Sequence, residues 1–496
     1  MKHLLFIALF LIPFTSMAIN HSDSIPYPFY AQDTSGENQM MPLHKAEESF
    51  QLRLELIRKA QRSIEVEYYI YNLDLAGKIF TRELVKAADR GVKVRILVDK
   101  LITLLDPFVA HELEKHGIEV KYYNTNQLFK LHIINYRNHR KLLAVDGMEA
   151  ITGGRNMGDD YFNLDHRYNF DDRDVYVKGP IVNVMRDSFT AYFENKVSKF
   201  VKRRTRPVIT NSGRGGPDGV AQQRAWDKSV KKAQDFLLET DEELNARAAF
   251  ERVGNEQLAQ NNIYPCPVTT FVTDTPGAKQ GNSKEEYRAN YRNVRKTFLD
   301  KILPIDKALT ISSPYFIPND RNEFIFEDLL KRGIELTLYS NSLRSTDAIF
   351  MSASLYLHLK NYLRKGMKVF FHDGKWSQEG EAVTTEAPRG DWGTHSKTHI
   401  YETTTYSEVM IGTYNIDNRS DYYNTELAVF CKGNDDFAQN VKADVMALAE
   451  KGIKVESLTE ARDRSGNKIN ITGADPVREL KMKIFTLPSW LVGHLL

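Results

Sequence analysis

The stretch Asn138-His139-Arg140-Lys141-Leu142-Leu143-Ala144-Val145-Asp146 returns, altered, as Thr394-His395-Ser396-Lys397-Thr398-His399-Ile400-Tyr401-Glu402. Each copy reads His-x-Lys and then, five residues after the Lys, a carboxylate. The first copy runs on to Ile151-Thr152-Gly153-Gly154-Arg155-Asn156, the second to Ile411-Gly412-Thr413-Tyr414-Asn415. Further on stand Asp172-Arg173-Asp174-Val175 and Asn424-Thr425-Glu426-Leu427. The order His, Lys, acid, Gly, Asn, acid therefore occurs twice, which constrains the chain to two similar halves.

The duplication extends beyond these motifs. Ile64 to Tyr71 alternates like a strand, Phe80 to Asp89 has helical spacing, and Arg90-Gly91 is a helix-stop signal before a strand at Val92 to Val98. Phe108 to Lys115, then Gly117, then Ile118 to Tyr123 repeat helix, turn and strand. Downstream, Ala308 to Ser312, Phe324 to Lys331, Arg332-Gly333, Ile334 to Tyr339, Leu355 to Arg364, Gly366 and Met367 to Phe371 follow the same rhythm. Such βαβ alternation predicts an α/β fold with parallel or mixed sheets and helices outside. Asp146-Gly147 predicts a hairpin turn before a strand at Ala150-Ile151. Phe50 to Ala60 and Phe189 to Lys202 read as helices, and Ala225 to Gln260 as an inserted hairpin or exposed charged helices. Residues 375–393 form a polar loop leading into His395, a place for a substrate gate.

A strand alternates its faces with period two, so the His and Lys of each copy point the same way. An imidazole beside an ammonium suits an anion better than a core. A phosphodiester is such an anion, with a poor leaving group. A nucleophilic His divides its cleavage into two displacements. A second His across the phosphate protonates the leaving group and later deprotonates the acceptor. Two Lys and two Asn supply positive charge and amide donors around the phosphorus, so no metal or cofactor is required. No CxxC or HExxH supports a zinc site.

These duplicated residues resemble the signature of the phospholipase D superfamily, HxKxxxxD with a downstream Gly and Asn in each half. The resemblance runs from about Pro42 to the C-terminus and is strongest to the bacterial cardiolipin synthase C-like branch, carried by Gly153 to Phe162 and Gly412 to Ser420. It implies two α/β/α sandwich halves with pseudo-twofold symmetry and one active site between them. In the family's roles, His139 is the nucleophile and His395 the general acid and base, an assignment the near symmetry leaves reversible. Lys141, Lys397, Asn156 and Asn415 bind phosphate. Asp146 and Glu402 complete the motifs, although Asp146 also suits its turn and Glu402 departs from the usual Asp. Glu426 orients one His. Asp172 is its counterpart, with Asp174 competing for that role. His399, Arg155 and Arg419 read as supporting groups.

The expected organisation is a signal peptide over 1–18, an N-terminal arm over 19–41, half 1 over 42–204, a linker and helical insertion over 205–290, half 2 over 291–474 and an apolar tail over 475–496. Lys2 and His3 precede an apolar run, Leu4 to Phe14, too short to span a bilayer at roughly 20 residues, and Ser16-Met17-Ala18 has a cleavage pattern. Export to the periplasm, association with a membrane, or secretion follows. Trp490 and its apolar neighbours either dock on the core or insert shallowly in a membrane. Export permits a disulfide, yet Cys431 ends an apolar run, so two buried or unpaired thiols are expected at Cys266 and Cys431.

The implied reaction is phosphatidyl transfer on glycerophospholipids through a phosphohistidine, giving cardiolipin with a lipid alcohol or phosphatidic acid with water. A secreted phosphodiesterase acting on nucleic acid is the rival enzyme. Its expected basic field is missing, since 67 Lys and Arg meet 65 acids. A membrane-binding protein with a degenerate site is the non-enzymatic rival, motivated by Glu402. The expected partner is a phospholipid membrane, not nucleic acid.

Overall fold

The computed structural model describes residues 24–124, 136–203, 205–207, 217–277, 291–376, 383–385, 387–482 and 484. The signal-peptide reading and residues 483 and 485–496 of the apolar tail, Trp490 among them, lie outside these residues. Two large sheets carry the fold. In the first, Ser63–Tyr68, Lys93–Asp99 and Glu119–Tyr123 run parallel. Leu142–Val145, Glu149–Gly153 and Asp174–Lys178 continue antiparallel from Ser63–Tyr68. The second sheet repeats the plan. Ala308–Ser312, Glu335–Asn341 and Lys368–His372 are parallel, and Thr398–Glu402, Ser407–Gly412 and Leu427–Lys432 continue antiparallel.

Local chemistry sets the connections. Asp74 caps helix Leu75–Asp89 by accepting from the Gly77 amide. Asp106 caps Pro107–Lys115, which starts with its Pro where no amide partner is needed. Gly91 and Gly333, both at positive φ with open space around them, end the matching helices of the two halves. Asp146 and Gly147 both have positive φ, as a tight hairpin between twisted strands requires.

Helices Ala46–Lys59, Leu75–Asp89 and Pro107–Lys115 cover one face of the first sheet around Phe50, Leu54, Phe80 and Val120. Asp320–Lys331 and Ile349–Arg364 do the same for the second, around Phe316, Phe326 and Leu338. The other faces meet in a common core that mixes Leu142, Val175 and Val177 with Ile400, Val409 and Val429. Helices Ile181–Phe193 and Asp435–Lys451 fill its flanks. The halves are thus packed through hydrophobic surface, not merely tethered.

Four elements differ from the sequence reading. The arm supplies Tyr30–Asp33 to the second sheet and Gln39–Leu43 to the first. The linker and insertion end in Tyr264–Pro265 and Val268–Thr273, again one strand for each sheet. The helix expected to reach Lys202 stops at Phe193. There Asn195 takes the Val197 amide on its side chain at 3.1 Å, turning the chain into an edge strand at Ser198–Phe200. Finally, Cys266 and Cys431 form a disulfide, a correction to the expected free thiols. Cys431 does lie in a buried strand, but the crossover between Tyr264–Pro265 and Val268–Thr273 brings Cys266 beside it, a tertiary juxtaposition.

Insertion helices Pro217–Phe236 and Asp241–Leu258 are present, and the second buries Phe250 against Phe50. Of the loop 375–393, residues 377–382 and 386 lie outside the described ones. Its end is fixed: Trp392 is buried, donates to the Ala387 carbonyl at 2.9 Å, and belongs to strand Asp391–Thr394.

Candidate active site

Strand Asp391–Thr394 of the second half pairs in parallel with Tyr168–Asp171 of the first, with Thr394 opposite Asp171. The next residue on each side is His395 and Asp172. The His395 amide donates to the Asp171 carbonyl at 2.8 Å, and its Nδ1 lies 2.7 Å from the Asp172 carboxylate. The other crossing is built alike. Asn138 bridges Thr425 in parallel, the His139 amide donates to the Thr425 carbonyl at 3.0 Å, and His139 Nδ1 lies 2.9 Å from Glu426. Each His is therefore oriented by a carboxylate from the opposite half. With Nδ1 held as donor, Nε2 is left for chemistry.

The carboxylates are held differently. Gly154 stands beside Asp172, where a Cβ would collide with the carboxylate. At the corresponding place in the second half, the Thr413 hydroxyl donates to Glu426. Ser420 donates to Glu426 at 2.8 Å, and Asp274 accepts the Glu426 amide at 2.9 Å. Asp174, the competing choice, instead binds Ser49, Arg53 and Arg155. Asp172 is the orienting residue.

The lysines lie buried beside the imidazoles. Lys141 Nζ donates to the His139 carbonyl at 2.7 Å. Lys397 Nζ is 2.9 Å from His395 Nδ1. That contact is not a hydrogen bond while Nδ1 carries its proton toward Asp172, and the ionised carboxylate keeps it there. Arg140, between His139 and Lys141, points away and stacks 3.8 Å over Tyr192.

Burial and crowding of cations shift the titrations. Burial lowers Lys141 to about 7, helped by Lys397. Burial also lowers Lys397, to about 8. His395 falls to about 4 through burial and Lys397. His139 falls well below the usual imidazole value through burial, Lys141 and Lys397. Burial raises Glu426 to about 7. Burial also pushes Asp172 upward, but His395 and Lys397 outweigh it and hold the carboxyl at about 2. Basic groups whose protonation is opposed by burial and by one another gain from an anion placed among them.

His139, His395, Asn156 and Asn415 line one cleft of about 170 Å³ with Tyr69, Tyr161, Tyr315, Asp347, Asp417 and Arg419. Asn156 Oδ1 accepts from the Ile70 amide at 3.2 Å, and its side-chain amide also hydrogen-bonds Tyr161 of the same cleft. The remaining motif carboxylates are not part of this site. Asp146 accepts the amides of Gln61, Arg62 and Ser63 at 2.7–2.9 Å and fixes the hairpin. Glu402 ends its strand and pairs with Lys442. The strand following each His-x-Lys carries its carboxylate to the far end, so the structure does not bring Asp146 and Glu402 to the cleft with the histidines. His399 is buried against Tyr401, and Arg155 braces the Leu43, His44 and Asp172 carbonyls. Arg419, read as supporting, lines the cleft. The sequence reading quoted Thr413 and Ser420 without giving them a role, and Asp274 and Asp347 escaped it. Only Thr413 and Ser420 lie within the duplicated stretches, so only they left a local signal.

The family described as "Cardiolipin synthase, PLD-like domain" matches residues 54–192. An uncharacterised protein of Helicobacter pylori is 29% identical over 422 residues, 80% of this chain and 77% of that one. Cardiolipin synthase C of Escherichia coli is 26% identical over 409 residues, 79% and 81% of the two chains. The fold is similar to the crystal structure of phosphatidylserine synthase from Haemophilus influenzae, with a TM-score of 0.60 at 15% identity over 92% and 95% of the two chains. The chain is thus similar to cardiolipin synthases over about four fifths of its length, and its duplicated fold with facing His-x-Lys pairs agrees with that likeness.

Proposed function

We propose that the protein transfers phosphatidyl groups between alcohols through a phosphohistidine, with a lipid alcohol as acceptor and cardiolipin as product. The observation that carries this reading is the crossed pair of Nδ1-anchored histidines facing one cleft over two buried lysines. His139 Nε2 attacks phosphorus while the P–O bond to the headgroup breaks and His395 gives its Nε2 proton to the departing oxygen. In the second step His395 takes the proton from the acceptor hydroxyl, whose oxygen attacks phosphorus as the P–N bond breaks. The differing carboxylates support this order. Asp172 stays ionised and favours an imidazolium at His395, whereas Glu426, raised by burial, leaves His139 neutral and nucleophilic. An entering phosphodiester adds negative charge and raises His395 toward the protonated form it needs.

The similarity to cardiolipin synthase C supports a lipid acceptor over water. Exported localisation is part of the same proposal, supported by the signal-like N-terminus and by a buried disulfide, which oxidising compartments favour. The test incubates purified protein with phosphatidylglycerol and phosphatidylethanolamine vesicles and reads lipids by mass spectrometry, with His139→Ala as control. Cardiolipin from the parent alone is expected. Phosphatidic acid with free headgroup would make the protein a hydrolase, and no lipid product would overturn lipid chemistry.

A further inference from the structure

The near symmetry of the two His-x-Lys sets does not extend to the walls of the cleft. Asp106 caps helix Pro107–Lys115 and Ala348 stands at the corresponding start of Ile349–Arg364. One residue earlier the halves diverge: Leu105 is buried, while Asp347 is exposed and lines the cleft. The loop before Leu105 presents Leu101, Ile102 and Leu104 to solvent and carries no carboxylate.

Asp347 is held in a defined place. The Tyr315 hydroxyl lies 2.8 and 2.9 Å from its two oxygens. Burial and Asp347 both raise Tyr315 well above the usual phenol value, so this hydroxyl stays protonated and donates. One shared donor cannot saturate a carboxylate, which offers about four acceptor positions. The remainder faces a cleft shared with Tyr161, Phe350 and Met351.

This wall belongs to the His395 side. The Tyr161 ring packs edge-on to His395 at 5.3 Å, and Asp347 acts on both Tyr161 and Lys397. Arg419 lies in the same cleft, and its charge bears on His139 and Tyr69. Charge in the cleft is uneven: Arg419 bears on His139, beside an Asp417 that burial raises to about 7, while Asp347 stands on the exposed wall by Tyr161, outside the buried Lys397. In-line displacement by His139 sends the leaving group toward His395, so the departing headgroup meets Asp347.

We propose that Asp347, positioned by Tyr315, is the headgroup-recognising residue and selects headgroups that carry an ammonium group. An ammonium gains a direct charge partner and a flanking aromatic wall there. A glycerol headgroup gains only hydrogen bonds, and a headgroup with its own carboxylate is repelled. This rests on the phosphatidyl-transfer reading with His395 as the acid, and it adds a specificity that the motifs do not contain.

Mixed vesicles of equal phosphatidylethanolamine and phosphatidylglycerol give the test, because one surface removes differences in vesicle binding. Released ethanolamine and glycerol are measured at initial rate. The parent should release ethanolamine faster. Asp347→Asn should lower the ethanolamine-to-glycerol ratio by about tenfold or more, and Asp347→Glu should keep it within about threefold. Asp347 is exposed and its described bonds are to Tyr315, so the variants should melt like the parent. A parent preference for glycerol, or an unchanged ratio in Asp347→Asn, overturns the proposal. If Asp347→Asn loses turnover, thermal shifts by glycerophosphoethanolamine and glycerophosphoglycerol read the same preference, and equal shifts in the parent overturn it. Release of neither headgroup by the parent is a different result. It defeats phosphatidyl transfer itself and the specificity with it.

Discussion

Lys141 titrates near neutrality because burial and Lys397 both oppose its charge. Its ammonium is thus lost as pH rises through about 7, and with it one of the charges proposed to bind phosphate. The expected outcome is a kcat/KM for lipid that declines above pH 7. The decline in kcat should begin at higher pH, because bound phosphate holds the proton on. Lys141→Arg keeps its charge at every accessible pH. The decline of that variant should move up by about one pH unit, to the value set by Lys397, whatever its absolute rate. A parent profile flat between pH 7 and 9 would show that Lys141 does not titrate in the free enzyme.

The strand after each His-x-Lys carries the motif's carboxylate away from the cleft. Asp146 holds three backbone amides of the chain turn at Gln61 to Ser63, and Glu402 pairs with Lys442 at the rim. Asp146→Ala should cost about 1–2 kcal/mol, mainly from amides left without their acceptor. Glu402→Gln should cost less than about 1 kcal/mol, as for other partly exposed pairs. Melting curves and turnover measured together decide the matter. Both variants should keep lipid turnover within about threefold of the parent once folded. A thousandfold loss in Glu402→Gln at unchanged melting temperature would return that carboxylate to the chemistry.

The two halves are packed on one another. Their sheets share a core, and the Cys266–Cys431 disulfide closes a sequence separation of 165 residues between the crossover segment and the strand that follows Glu426. Replacing both cysteines with Ala should lower stability by about 2–4 kcal/mol, the usual range for such a link. Denaturant midpoints of parent and variant provide the measurement. Coincident midpoints would mean that the shared core alone sets stability.

The sequence by itself determined the duplicated α/β plan, the His-x-Lys pairs and the two asparagines, because repeated order and strand alternation are local properties. It narrowed the orienting acids to Glu426 and either Asp172 or Asp174. It left the roles of Asp146 and Glu402 open, since a motif gives spacing but not the direction in which a strand travels. Edge strands such as Tyr30–Asp33 and Ser198–Phe200 were missed because a single paired side demands little apolar pattern. Tertiary structure decided the rest. Parallel bridges between halves seat His139 beside Glu426 and His395 beside Asp172, residues 287 and 223 positions apart. Such pairing depends on how two sheets cross, and no local pattern encodes that distance.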